Sequence, residues 1–244
     1  MTEFAGGGLL DPVAAYDLIA PVYARLAKQR QAYLDAIDRC IVAEIPPGSR
    51  SLLDVGAGDG ARAARIAEAA GLRGLTLLEP SSVMLSRCAT RATIWAMRAE
   101  NLHSQQGSFD VVTCLWNVLG HIQPAAVRVQ MLRQLARLVS AGGRVFIDLN
   151  HRYNARHYGT IPTAARYLRD WVSPGEHNGD VRVTWDIEGQ RISTTGHVFT
   201  HREFIALSQA AGLTIEKRFV VDYASGQHRR RSCAGNFLYV LRNL

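Results

Sequence analysis

The stretch SLLDVGAGDGARAARIAEAAG, residues 51–71, joins a short apolar run to a helical repeat through three glycines. Glycine has no Cβ and adopts positive φ without strain, so Gly56, Gly58 and Gly60 allow the backbone to approach a ligand closely. In sheets of parallel strands, ligands bind at the carboxyl ends of the strands, where such a loop lies. The stretch therefore predicts a strand, a ligand-binding loop and a helix in succession.

Two phosphate-binding motifs compete for a loop of this kind. A P-loop needs lysine followed by serine or threonine at the start of the helix, and here alanine and arginine follow the third glycine, which argues against it. A dinucleotide site fits better, because Gly56, Gly58 and Ala61 match the looser GxGxxA pattern, and Glu79 lies about 20 residues further along. The glycines alone do not exclude a dinucleotide.

The composition is that of an ordinary globular protein. Of the 244 residues, 48% are hydrophobic and 20% charged, and no apolar run approaches the roughly 20 residues that cross a bilayer, so no membrane span is expected. An acid at Glu3 and the lack of a basic, apolar leader argue against a secretory signal, and we expect a cytoplasmic protein. The four cysteines are widely separated, so neither a disulfide framework nor a metal site is expected.

Short apolar runs alternate with helical patterns through the first 150 residues. The runs that predict buried strands are 51–55, 74–78, 93–97, 109–115 and 143–149. Helical segments are predicted at about 61–70, 81–91 and 124–139. Because apolar strands alternate with helices that cover both faces, the pattern predicts an α/β three-layer sandwich with a parallel sheet.

The pattern changes at both ends of this region. Two helical patterns fill residues 12–44, whereas residues 151–180 are polar and without clear periodicity. Residues 181–199 predict a hairpin that turns near Gly189, followed by a helix at about 201–211. Two final strands, 214–222 and 236–242, have no helical connection and therefore pair as an antiparallel hairpin. We predict one domain over 1–244, with N-terminal helices at 12–44 and an inserted cap at about 151–200.

Asp54 discriminates among ligands, because a carboxylate inside an apolar strand is costly to bury without hydrogen-bond donors. With it, LLDVGAGDG resembles motif I (D-x-G-x-G-x-G) of the class I S-adenosylmethionine-dependent methyltransferases. Further segments resemble that family in the same order: LLEPS (77–81), RAENL (98–102), SFDVVTCLWNVLGHI (108–122) and LVSAGGRVFIDL (138–149). The resemblance implies a seven-stranded, mostly parallel sheet with an antiparallel last strand, and S-adenosylmethionine as cofactor.

The resemblance also implies a set of cofactor-binding residues. Glu79 would accept the ribose hydroxyls, and Ala99 and Glu100 would flank the adenine. The complete expected set is Asp54, Gly56, Ala57, Gly58, Glu79, Pro80, Met84, Ala99, Glu100, Asn101 and Leu115. Tyr16, Tyr23 or Arg25 of the N-terminal helices could reach the methionine carboxylate.

Candidate catalytic residues follow the fourth and fifth strands, where an acceptor would meet the methyl group. His121 is the first candidate for a general base, because a neutral imidazole titrates near working pH. The stretch NHRYNARHYG (150–159) supplies His151 and Tyr153 as further candidates, together with His157 and Tyr158, as polar aromatics for an acceptor pocket.

The segment around Trp116 bears on the class of acceptor. It lacks the (D/N)PP(Y/F) motif of enzymes that methylate base amines and the Pro-Cys pair of cytosine C5 enzymes, so nucleic acid is an unlikely partner. The resemblance is closer to small-molecule enzymes, which implies methyl transfer to O or N of a small metabolite. Arg229–Arg231 and the net charge of +7 suggest that this metabolite could be anionic. RNA or protein methylation, and a non-catalytic cofactor-binding protein on the same fold, remain alternatives; the oligomeric state is not predicted.

Overall fold

The computed structural model describes residues 8–243, and Glu3, on which the argument against a secretory signal rests, lies outside them. Nine strands are present: β1 (Ser51–Val55), β2 (Gly74–Leu78), β3 (Thr93–Trp95), β4 (Phe109–Cys114), β5 (Val139–Leu149), β6 (Asp180–Ile187), β7 (Gln190–His197), β8 (Leu213–Val221) and β9 (Asn236–Asn243). Seven of them form one sheet in the order β3-β2-β1-β4-β5-β9-β8, and β6 pairs with β7. Only β9 runs antiparallel to its neighbours in the large sheet, which confirms the predicted architecture.

Helices cover both faces of this sheet. The α-helices are α1 (Pro12–Ile19), α2 (Tyr23–Lys28), α3 (Gln31–Glu44), α4 (Ala61–Ala69), α5 (Ser82–Leu85), α6 (Ala125–Leu138), α7 (Ala155–Tyr158), α8 (Thr160–Val172) and α9 (His201–Ala210). On one face, α3 and α4 pack against the sheet through buried side chains such as Ile37 and Ile66. On the other, α6 and α9 contribute Leu132 and Phe204. The central strands are apolar on both sides because both sides are covered, and the three-layer sandwich is confirmed.

The structure corrects the sequence-based boundaries in three places. The helix predicted at 81–91 is confined to Ser82–Leu85, and β5 begins four residues earlier than predicted, before an irregularity in its pairing with β4. The prediction of no periodicity over 151–180 is wrong, because Thr160–Val172 is a helix. Pro162 does not prevent it, since proline in the first turn gives up an N–H that has no helical partner. The apolar residues of α8 point outward, with Trp171 75% exposed.

The N-terminal segment crosses the carboxyl ends of β1 and β2. The Leu10 amide donates a hydrogen bond to Ser193 O at 2.8 Å, which ties the segment to β7. Arg98 Nη2 lies 2.7 Å from Asp11 Oδ1, and the Ser81 hydroxyl donates to Asp17. These contacts place α1 and the β6–β7 hairpin together over the edge of the sheet where the glycine loop lies.

Candidate active site

A cavity of about 300 Å³ lies at the carboxyl ends of β1, β2 and β4, beneath α1, and is called here the first cavity. Its walls come from six segments of chain: the N-terminal segment, the glycine loop, the residues after β2, after β3 and after β4, and Thr195 of β7. Its lining includes Tyr16, Tyr23, Gly56, Gly58, Leu78, Glu79, Pro80, Arg98, Ala99, Glu100, Leu115, Trp116, Val118 and His121. The topology therefore brings distant parts of the sequence to one edge of the sheet, as the glycine loop predicts.

The glycine loop is held by backbone contacts to β2. The amides of Gly56 and Ala57 both donate to Leu78 O, at 2.8 and 3.0 Å. Gly56 and Gly58 have φ of +75° and +59°, the region that favours glycine. A Cβ at Gly56 would lie 2.5 Å from a methyl carbon of Val118, and one at Gly58 would lie 3.3 Å from the hydroxyl of Tyr23. Bare backbone is therefore required where the loop meets the wall of the first cavity.

Glu79 is the carboxylate of the first cavity that is most closely tied to the glycine loop. Its Oε2 accepts a hydrogen bond from the Gly58 amide at 2.8 Å, and its Oε1 accepts one from the Ser81 amide at 2.9 Å. Burial raises the pKa of Glu79, and these two backbone bonds oppose the rise. A carboxylate has about four acceptor sites, so each oxygen keeps one for a ligand hydroxyl.

A second cavity of about 420 Å³ adjoins the first and lies under the cap hairpin and α8. Four side chains line both cavities: Tyr16, Tyr23, Trp116 and His121. The Tyr23 and Trp116 rings are 5.9 Å apart, and the Tyr16 and His121 rings are 5.5 Å apart. These four residues form the boundary at which the contents of the two cavities would meet.

Trp116 and Asn117 hold an unusual backbone conformation at this boundary. Their φ angles are +53° and +64°, which is rare for residues other than glycine and costs on the order of 1–3 kcal/mol each. Several hydrogen bonds fix the conformation. The Trp116 amide donates to Asp148 Oδ2 at 3.0 Å, its indole donates to the Tyr223 hydroxyl at 3.2 Å, and Asn117 Nδ2 donates to His197 O at 3.1 Å. The strain is thus balanced by contacts that hold the Trp116 ring between the cavities.

His121 has a defined protonation pattern in this boundary. Its Nδ1 lies 3.0 Å from Thr195 O, and because a carbonyl oxygen can only accept, Nδ1 carries the proton. Its Nε2 is therefore unprotonated, and the lone pair on this nitrogen accepts a long hydrogen bond of 3.3 Å from the Tyr16 hydroxyl. Burial lowers the pKa of His121 below its usual value, so the ring is neutral near pH 7. A neutral imidazole with an available Nε2 is suited to accept a proton.

The predicted cofactor residues divide into two groups in the structure. Seven line the first cavity: Gly56, Gly58, Glu79, Pro80, Ala99, Glu100 and Leu115. Four do not: Asp54, Ala57, Met84 and Asn101. Ala57 is buried, Met84 is fully buried in the cluster that packs under α1, and Asn101 is exposed on the far side of its turn.

Asp54 lies behind the glycine loop, away from the first cavity. It is buried within β1, and its Oδ1 accepts a hydrogen bond from the Thr113 hydroxyl at 2.6 Å. Burial raises the pKa of Asp54 to about 6, against the effect of that bond. Its side chain therefore contacts the neighbouring strand β4, and it does not lie where a ligand in the first cavity would touch it.

The structure separates two of the predicted catalytic residues from the cavities. The His151 ring packs on Phe237, with ring centroids 4.1 Å apart, and burial lowers its pKa to about 4. The Tyr153 hydroxyl donates to Asp170 at 2.6 Å. Neither lines either cavity, because the chain after β5 turns into the core before α7 carries it back. His157 and Tyr158, from that helix, do line the second cavity.

Some residues that line the cavities could not be identified from the sequence. Arg98 and Asp11 reach the first cavity as an ion pair between distant segments. Trp185 lines the second cavity from the cap, and Arg30 lines it from the turn between α2 and α3. Arg25, predicted as a contact for the methionine carboxylate, lines neither cavity. The run Arg229–Arg231 lies outside both cavities on a shallow surface depression, where Arg229 pairs with Asp222.

Within residues 8–243, no group of three or more His, Cys, Asp or Glu side chains is arranged to hold a metal ion. None of the helices just described combines the length and apolarity that crossing a membrane requires. The cytoplasmic location stays a prediction.

Comparison with known proteins bears on the family. Residues 52–143, from β1 to the first part of β5, match the family described as methyltransferase domain. Over this segment the chain is similar to S-adenosylmethionine-dependent methyltransferases, as the resemblance in the sequence implies. The match spans the glycine loop, Glu79 and His121, and the cofactor of this methyltransferase family is S-adenosylmethionine.

Two curated relatives share substantial sequence with this chain. The chain is 34% identical over 130 residues to the ubiquinone biosynthesis O-methyltransferase of Aeromonas salmonicida, covering 52% of this chain and 45% of that protein. It is 30% identical over 163 residues to the protein of the same name from Caulobacter vibrioides, covering 63% of this chain and 62% of that protein. The similarity thus spans about half of the length of these relatives.

The fold is also that of solved methyltransferases. The CcbJ methyltransferase from Streptomyces caelestis superposes with a TM-score of 0.67, covering 94% of this chain and 97% of that chain at 16% identity. At that identity the likeness extends to the fold alone, including the seven-stranded sheet.

Proposed function

We propose that this methyltransferase transfers a methyl group from S-adenosylmethionine in the first cavity to an oxygen or nitrogen of a small metabolite in the second. The observation that carries the proposal is the shared boundary of the two cavities, at which the neutral His121 presents Nε2. The whole chain would act as one domain, with residues 12–44 and the cap at 151–200 roofing the two cavities.

The first cavity fits the cofactor in shape and in chemistry. Gly56 and Gly58 expose backbone where a Cβ would collide with Val118 and Tyr23, so the loop leaves room only for a closely approaching ligand. Glu79 keeps an acceptor site on each oxygen for the two ribose hydroxyls. Ala99 and Glu100 lie further along the same wall, as expected for the adenine end. Asp54, Ala57, Met84 and Asn101 would then support this wall rather than touch the cofactor.

The chain's own groups would position the acceptor and remove its proton. When bound, S-adenosylmethionine supplies a methyl group on a positively charged sulfur, and the bonding electron pair stays on sulfur after transfer. Tyr16, Tyr23 and Trp116 would exclude water at the boundary and orient the acceptor. An acceptor hydroxyl would replace the long bond from Tyr16 and donate to His121 Nε2, which takes up the proton as oxygen attacks.

Oxygen is favoured over nitrogen as the attacking atom on two grounds. The curated relatives are O-methyltransferases by name, and a hydroxyl needs a base of this kind more than a neutral amine does. RNA is the weaker alternative, because its recognition requires contacts with a long anionic backbone and the reacting end here lies in an enclosed cavity roofed by α1 and the hairpin.

Two measurements made in sequence test the proposal. Calorimetry with S-adenosylmethionine and S-adenosylhomocysteine should show binding at one site, and NAD should not bind. A screen of hydroxylated and amino metabolites, monitored by released S-adenosylhomocysteine, should then identify turnover. Binding without turnover of any acceptor would favour the non-catalytic alternative, and a steep salt dependence of acceptor binding would favour nucleic acid.

A further inference from the structure

The second cavity has an aromatic wall. Six aromatic side chains line it: Tyr16, Tyr23, Trp116, Tyr158, Trp185 and Tyr223. Tyr16 and Trp185 meet edge to face with their centroids 5.7 Å apart, and the rings of Tyr23 and Trp116 are tilted at 5.9 Å. Such a lining binds flat rings through offset or edge contacts, and it makes few favourable contacts with a strongly hydrated, flexible chain.

The charges in the same cavity are all of one sign. Arg30, Arg166 and Arg182 line it, and no aspartate or glutamate does, whereas Asp11, Glu79 and Glu100 line the first cavity. Arg30 and Arg166 are half-buried and have no carboxylate within ion-pair distance in the part of the chain that the structure describes. Most buried or half-buried arginines elsewhere are paired, such as Arg62 with Asp38 and Arg152 with Asp170.

Arg30 and Arg166 are held by stacking, which leaves hydrogen-bond donors available. The Arg30 guanidinium carbon lies 4.6 Å from the ring centre of Tyr223, and that of Arg166 lies 4.2 Å from the ring centre of Tyr158. Stacking uses the face of a guanidinium and leaves the N–H groups at its edge, which match carboxylate or phosphate oxygens. The one direct backbone bond is a long one, from Arg166 Nη1 to Arg152 O at 3.4 Å.

The two arginines converge on one end of the cavity. His157 lies there, with its ring centre 5.0 Å from that of Tyr223 and 4.6 Å from that of Tyr158. Burial lowers the pKa of His157, and the charges of Arg30 and Arg166 lower it further. Both guanidinium groups therefore lie close enough to His157 to affect its ring. None of these residues lines the first cavity, so this end belongs to the second cavity alone.

We infer that the acceptor is an aromatic molecule that carries a carboxylate or phosphate group, which Arg30 and Arg166 bind while the reacting hydroxyl faces His121. This inference rests on the proposed function, since it assigns the contents of the acceptor cavity. The inference assigns anion binding to Arg30 and Arg166 instead of Arg229–Arg231, the run that the sequence suggested. That run lies outside both cavities.

The inference is tested by binding of matched probes to the full chain saturated with S-adenosylhomocysteine. 4-Hydroxybenzoate should bind more tightly than 4-hydroxybenzamide, and phenyl phosphate more tightly than phenol, by roughly tenfold each, as read from tryptophan fluorescence or calorimetry. A preference for only one of the two anions would assign the substituent as carboxylate or as phosphate. Equal affinities within both pairs, or no binding of either anion at millimolar concentration, would overturn the inference.

Charge-removing variants locate the anion. Arg30→Gln and Arg166→Gln should each weaken anion binding by roughly tenfold and leave the neutral probes unchanged, and Arg30→Lys should retain part of the preference. Arg230→Gln removes the same charge outside the cavities and should change nothing. An equal loss in Arg230→Gln would show an effect of net charge alone and refute the site.

Affinity for S-adenosylhomocysteine distinguishes a failure of the proposed function from a failure of the inferred class of acceptor. Each arginine variant should keep it, which also shows that the variant is folded, because the three arginines do not line the first cavity. If the wild-type chain fails to bind S-adenosylhomocysteine, the proposed function itself fails. If it binds while the anionic probes have no advantage, only the class of acceptor is wrong.

Discussion

Replacing Gly56 with alanine should remove cofactor binding and destabilise the fold by a calculable amount. With φ at +75°, any side chain at this position costs about 1–2 kcal/mol. The added Cβ would also lie 2.5 and 2.7 Å from the two methyl carbons of Val118, and overpacking of this kind costs about 1–3 kcal/mol. We therefore expect a loss of about 2–5 kcal/mol in the free energy of unfolding, with Val118 displaced into the first cavity.

Two further variants separate the backbone strain from the collision. Gly48→Ala has the same backbone strain, at φ +83°, with no atom within 4 Å of its Cβ, so it should cost only about 1–2 kcal/mol and spare the cofactor. Gly56→Ala combined with Val118→Ala should recover most of the overpacking cost. Denaturant unfolding and calorimetry with S-adenosylhomocysteine measure both effects. Wild-type cofactor affinity in Gly56→Ala, or no recovery in the double variant, would refute the close approach.

Three other substitutions have defined outcomes. His121→Ala should lower turnover about a hundredfold and leave cofactor affinity unchanged. The kcat/KM of the wild type should rise with pH, with a midpoint below 6.5, and then level off. This is expected because burial lowers the pKa of the imidazole and only the neutral imidazole accepts a proton. An acid limb centred above 6.5 would contradict this. Glu79→Gln should weaken cofactor affinity by about 2 kcal/mol, through loss of a charged acceptor, and unchanged calorimetric affinity would remove Glu79 from the site. Asp54→Asn should stabilise the fold by about 3 kcal/mol above pH 6, because a pKa raised from 3.8 to about 6 makes the ionised carboxylate unfavourable in the folded state. Urea unfolding measures this difference, which should vanish below pH 3.8. A difference in stability that persists below pH 3.8 would contradict the prediction.

The sheet and the cofactor side of the site were predictable because they are local in sequence. A strand, a glycine loop and a helix follow one another over residues 51–71, and Glu79 ends the next strand. The sequence could not decide whether Asp54 supports the glycine loop or faces the ligand, because side chains alternate along a strand and the motif does not reveal which face Asp54 occupies. In this structure it faces Thr113.

The acceptor side could not be predicted, because it is assembled from distant segments. Arg30 immediately precedes α3, Arg166 lies on α8 and Trp185 lies on β6, and only tertiary packing brings them together. The helix α8 was missed although its apolar residues recur at helical spacing, because it is short, lies in a polar region and has a proline in its first turn. The sequence could not show which of His151, Tyr153 and His157 reaches a cavity, because the path of the chain after β5 decides this; of the three, His157 lines the second cavity.

One length of polypeptide, from Leu10 to Arg30, contributes walls to both cavities and is fastened at Arg98, Ser81 and Ser193. Detaching it would uncover both compartments together, so the departure of the methylated product and of the demethylated nucleoside would share a single gate. The contacts at Arg98, Ser81 and Ser193 would then bear on product release as well as on the shelter of the reaction from water.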